Sequence, residues 1–265
     1  MTSVFFLFLL HLGLGLLAMM PFVPERAGTK FFKFCSAAAA FLMASAAWML
    51  YRRFGVHGAA AGPGGARYPP MMAATVVSLV LTVLYNRAQH FDARRLRAPL
   101  LAGSLLAGLA AVLLGTPPQP RVLAGVTDLT SILLLGAAAS AMILGHFYLV
   151  VLDLPILALR RLTVLLVVGL VLRAAVVAWA LAGTPQGLED ARLVATGLWS
   201  PDGIFVWMRI LFGLAGPLSL VWFIWKTVEI RSTQSATGIL YVQLFLVMSG
   251  ELLAKYLRVA AGFPL

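Results

Sequence analysis

The chain has 265 residues, of which 62% are hydrophobic and 11% charged. A water-soluble domain runs nearer half apolar and a quarter charged, so the soluble-enzyme, disordered, fibrous and disulfide-scaffold classes are excluded. A net charge of +11 would point to nucleic acid in a soluble chain; here the cations fall in short loops, where they set topology and meet anionic lipid headgroups.

A helix needs about 20 mostly apolar residues to cross the hydrocarbon of a bilayer, and eight segments qualify. The first, 4–23, follows no basic n-region and reads as a retained spanning helix rather than a signal peptide; it carries His11. The second, 31–51, holds the single cysteine, Cys35, with no Cys or His nearby to suggest zinc or an iron–sulfur cluster. The third and fourth, 71–88 and 100–116, are short, and the fourth is rich in Gly and Ala. The fifth, 128–152, ends in Gly145-His146-Phe147-Tyr148 before Asp153, Pro155 and the Arg160-Arg161 pair. The sixth, 162–183, carries Arg173. The seventh, 203–227, carries Arg209 and is bracketed by Phe205, Trp207, Trp222, Phe223 and Trp225, an aromatic belt. Pro217 removes a backbone donor inside it and predicts a kink. The eighth, 236–261, carries Gln243, Glu251 and Lys255. No connection is long enough to hold a soluble domain.

The expected fold is therefore all-α: a polytopic transmembrane bundle of eight helices forming a single membrane domain. Small residues four apart (Gly103 with Ala107, Gly136 with Ser140, Ala141 with Gly145) mark helix-packing seams. A faint repeat divides the bundle into two four-helix halves, 1–126 and 127–265. His11 then Pro21, with Ala46-Ala47-Trp48 closing the next helix, matches His146 then Pro155, with Val177-Ala178-Trp179. Connections after odd-numbered helices hold eleven Lys and Arg, against seven in the even connections and the C-terminal end. That excess puts the odd loops in the cytoplasm and both termini outside.

Ionisable side chains at membrane depth are costly and mark functional sites by default. His11, Arg209 and Glu251 come out at one level, about 10–15 Å beneath the outer face at about 1.5 Å per residue. A quinone fits such a layer, because its carbonyls need donors and quinol oxidation needs a base or proton relay. The competing reading is structural: Glu251 and Lys255 are spaced to pair along one helix, and Arg209 could satisfy the same carboxylate. His146, Tyr148, Gln243 and Asp153 form a second polar group near the inner face.

Haem is disfavoured, since His11 and His146 differ in level by about 10 Å. No metal constellation, phosphate-binding loop, GxSxG elbow or HExxH helix is present. No catalytic residue can be assigned.

With eight helices in two halves and the ending Gly250-Glu251-Leu252-Leu253-Ala254-Lys255, the chain resembles the membrane-anchor subunits of polysulfide reductase and dimethyl sulfoxide reductase type complexes. The resemblance implies a haem-free subunit, inactive alone, that exchanges electrons between quinone and an attached iron–sulfur subunit; the partner chain is expected to carry iron–sulfur or haem centres, since this sequence shows no centre of its own. It implies Glu251 as a quinol-site carboxylate. Two other readings stay open: a transporter or proton-conducting carrier using the same buried charges, and a structural or assembly subunit without a ligand. Sixteen Arg to four Lys and abundant Ala and Gly suggest a GC-rich bacterial genome, hence a bacterial inner membrane.

Overall fold

The structure is a computed structural model, and it describes residues 2–54, 67–91, 93–116, 121–150, 154, 156–182 and 201–261. Asp153 and Pro155 lie outside the described residues. Among the described residues there is no strand. Lipid offers backbone amides no partners, and an α-helix satisfies them within one segment. Eight spans are long and apolar enough to cross a membrane: this is a multi-pass membrane protein.

The chain falls into two compact units, Met1–Pro118 and Gln119–Leu265. The first comprises α1 (Thr2–Met19), α2 (Thr29–Phe54), α3 (Tyr68–His90) and α4 (Arg94–Gly115). Each helix packs on the next, and α4 closes on α1. A 3-10 turn at Met20–Phe22 extends α1, and Pro24, extended at ψ 149°, ends it. Gly28 then turns the chain into α2 at φ +84°, a conformation that a side chain would strain. Helices α3 and α4 are longer than their apolar cores suggested, at 23 and 22 residues. Buried hydroxyls join them: Ser78 Oγ donates to the Ser104 carbonyl at 2.8 Å, and the Thr82 and Ser104 hydroxyls share a 2.7 Å bond.

The second unit comprises α5 (Arg121–Val150), α6 (Leu157–Ala182), α7 (Pro201–Ile210), α8 (Gly216–Glu229) and α9 (Thr233–Tyr256). Helices α7 and α8 form one span, joined by a π-helical segment at Leu211–Ala215. The ring has the same order as in the first unit: α5 on α6, α6 on α8, α7 and α8 on α9, and α9 back on α5. At the repeat's matched positions, Trp48 and Trp179 are both exposed, whereas His11 is buried and His146 is not.

Two expectations change here. The fifth span begins at Arg121 rather than at residue 128, which moves Asp128 from a helix edge to within the span. The disturbance expected at Pro217 appears just before it, as the π segment. Proline cannot donate to the carbonyl four residues back and its ring crowds that carbonyl. The preceding turn widens instead, and the Gly216 N–H reaches the Leu211 carbonyl.

Candidate functional site

All four spans of the second unit contribute to one buried polar cluster. Thr127, Asp128 and Ser131 lie on one face of α5; Arg173 comes from α6, Arg209 from α7, and Glu251 and Lys255 from α9. Arg258 follows in a π-helical turn at Leu257–Ala261. Counting from the span ends, Arg173, Arg209 and Glu251 lie about 10 Å in. Val177, Val206, Leu214 and Leu257 of the same spans form an apolar cluster. Glu251 and Arg209 are fully buried, and Arg173 is 1% exposed.

The Glu251 carboxylate is the hub. Its Oε1 accepts from Arg173 Nε at 2.8 Å and from Arg209 Nη2 at 2.9 Å. Its Oε2 accepts from Ser131 Oγ at 2.5 Å and from Lys255 Nζ at 3.3 Å, with Arg173 Nη2 at 3.5 Å. Lys255 Nζ also donates to Ser131 Oγ at 2.7 Å. Beside this network Asp128 pairs with Arg258 at 2.5 Å. A carboxylate offers about four lone-pair directions, and here they are taken by donors. Glu251 is thus an ionised anchor for three cations.

The charges do not balance. Arg173, Arg209, Lys255 and Arg258 face only Glu251 and Asp128, leaving two cations in excess within the described cluster. Nor are the donors used up. Arg209 Nε and Nη1, and the Thr127 hydroxyl, have no hydrogen-bond partner among the described residues. Buried polar atoms rarely stay unsatisfied, and each one needs a reason. Arg209 is held there by two glycines: a Cβ on Gly213 would overlap its Nη1, and a Cβ on Gly250 would overlap the Gly213 Cα. The π segment that carries Gly213 is itself a feature found often at functional sites.

Of the residues proposed from sequence for an outer layer, Arg209 and Glu251 meet. His11 belongs to α1 in the first unit, buried at 1% exposure. Of the second polar group, whose Asp153 lies outside the described residues, His146 and Tyr148 do not meet. His146 is exposed, with the Tyr241 hydroxyl 3.3 Å from its Nδ1, while Tyr148 is buried. Residues two apart on an α-helix point about 200° from each other, so these two cannot share a face. Gln243 is fully buried on α9, about 12 Å along the helix from Glu251, and neither amide atom has a partner among the described residues.

The sequence singles out Arg173 inside its helix without a partner and pairs Lys255 with Glu251 by spacing alone; Arg258 enters only the count of C-terminal charges. Ser131 gave no signal at all. Among the described residues no three His, Cys, Asp or Glu side chains converge to ligate a metal; the cluster offers N–H donors. Comparison of the chain with protein-family models, curated proteins and solved structures finds no match.

Gln243→Leu separates a structural amide from a functional one. Removing an unsatisfied buried amide raises stability by about 1–2 kcal/mol. The increase is read as resistance to unfolding by sodium dodecyl sulfate in mixed micelles. A loss of stability would show that Gln243 has a partner it depends on.

Proposed function

We propose that the chain is the quinone-binding membrane subunit of a redox complex, and that the quinone headgroup docks at the Arg173–Arg209–Glu251–Lys255 cluster. One observation carries the reading: two nitrogens of a fully buried guanidinium, Arg209 Nε and Nη1, face no acceptor. A quinone presents two carbonyl acceptors on a flat apolar ring, which suits a donor-rich site inside a membrane unit. Glu251 does not abstract the quinol proton directly, because its lone pairs are taken. Its role is to hold the arginines and Lys255 in place. Electrons leave through a partner subunit that carries iron–sulfur or haem centres.

Orientation follows the same loop count. Lys255 and Arg258 belong to the buried network, so the Lys and Arg of the even side fall to five against eleven. That bias places odd loops in the cytoplasm and the cluster beneath the outer face of a bacterial inner membrane.

The test is titration of the purified chain with a short-chain benzoquinone, followed by tryptophan fluorescence. Saturable quenching is expected, weakened about tenfold or more in Arg209→Gln by loss of charged donors. Absence of saturable quenching, or an undiminished Arg209→Gln, overturns the reading. The cation excess favours a second reading, an anion carrier. Anion flux through the isolated chain in liposomes, with no quinone binding, would establish that one instead.

A further inference from the structure

The first unit holds a cavity that the quinone reading leaves unused. It has a volume of about 290 Å³ and opens beside the α1–α2 connection, where α3 ends and α4 begins. Met20, Phe32 and Leu101 make its wall apolar, and Tyr85, Gln89 and Arg97 bring polar groups to it. Tyr85 and Gln89, one turn apart on α3, are each 4% exposed and are hydrogen-bonded to each other. Arg97 comes from the first turn of α4, and Glu25 stands exposed at the rim. The volume lies at the small end of ligand cavities, about 300–1,000 Å³. It suits a headgroup rather than a whole lipid.

The surroundings select the charge of the occupant. Arg26, Lys30, Arg87, Arg94 and Arg95 are exposed at the same end of this unit. Glu25 is the only acidic residue described there. Phe22 and Leu96, next in sequence to the lining residues Pro21 and Arg97, are 43% and 55% exposed, apolar surface suited to acyl chains. Arginine recognises phosphate by parallel N–H donors, and basic pockets between spanning helices take anionic headgroups.

We propose that this cavity binds the phosphodiester of an anionic phospholipid whose headgroup carries hydroxyls. The phosphate is met by Arg97 and by the Tyr85–Gln89 pair, and a headgroup hydroxyl donates to Glu25. The site lies in a different unit from the quinone cluster, so neither proposal depends on the other.

Native mass spectrometry of the delipidated full chain tests it, with dioleoyl phosphatidylglycerol, phosphatidylethanolamine and phosphatidylcholine added separately. Phosphatidylglycerol is expected to bind about tenfold or more tightly than either zwitterionic lipid. Arg97→Gln is expected to lower that affinity about tenfold, and Tyr85→Phe severalfold with the fold intact by circular dichroism. Arg95→Gln, outside the cavity, is expected to cost clearly less. Equal losses in Arg95→Gln and Arg97→Gln would reduce the effect to general surface attraction and overturn the site. So would equal binding of phosphatidylethanolamine. Displacement of phosphatidylglycerol by millimolar inorganic phosphate would overturn the lipid as occupant and leave a free-anion site.

Discussion

Glu251→Leu is expected to be the most damaging single substitution in the chain, lowering stability by about 3–5 kcal/mol. The loss comes less from the bonds that vanish than from what they leave behind. Arg173, Arg209 and Lys255 would remain as buried cations around an apolar side chain, with no water to take over. An exposed pair gives the contrast. Lys226 and Glu229 meet at 3.0 Å, but both are more than half exposed, and Glu229→Gln is expected to cost under about 1 kcal/mol. A compensating set sharpens the test. Glu251→Leu combined with Arg173→Met, Arg209→Met and Lys255→Met removes the orphaned charges and should recover much of the lost stability, as apolar replacements of buried ionic groups can. Unfolding in mixed micelles reads all of these variants. A Glu251→Leu protein as stable as the parent would show that the carboxylate does not hold the arginines. The recovered variant should still fail to bind quinone, which separates the anchoring role from the binding role.

The second large effect lies in a contact between two backbones. At Gly250 and Gly213 the backbones of α9 and the π segment touch, and a Cβ on Gly250 would overlap the Gly213 Cα. A flexible side chain could move aside from an added methyl; backbone cannot. Gly250→Ala therefore separates the two helices and lifts Arg209 from Glu251, at an expected cost of about 2–3 kcal/mol. Gly125→Ala and Gly238→Ala serve as controls, because an added Cβ at either position meets nothing within 4 Å. There alanine is expected to be neutral or to stabilise by up to about 1 kcal/mol, having the better helix propensity. If all three substitutions behaved alike, the glycine contact would have no special role.

Much of this architecture was visible in one dimension. Spanning helices announce themselves because the membrane imposes a length and a polarity on each segment separately, and no partner is needed to satisfy either. Arg173, Arg209 and Glu251 stood out for the same reason, as ionisable residues breaking apolar runs. Ser131 could not stand out. A serine or threonine in a spanning helix often bonds its own helix, as Thr163 does to the Leu159 carbonyl at 2.9 Å, and nothing local distinguishes the one that turns to a carboxylate 120 positions away.

The sequence by itself thus determined the class of protein, the number of crossings and the buried charges that need an explanation. Tertiary structure alone decided which of those charges meet. It turned Arg173 toward Glu251 and drew Asp128 to Arg258, residues 130 positions apart. It left His11 in the other unit. The reason is physical. Transfer from water to lipid is close to a sum over individual residues, so it can be read along a chain. Pairing inside a bundle depends on helix rotation and on how closely backbones approach, and at Gly213 and Gly250 that approach depends on a side chain being missing from both partners at once.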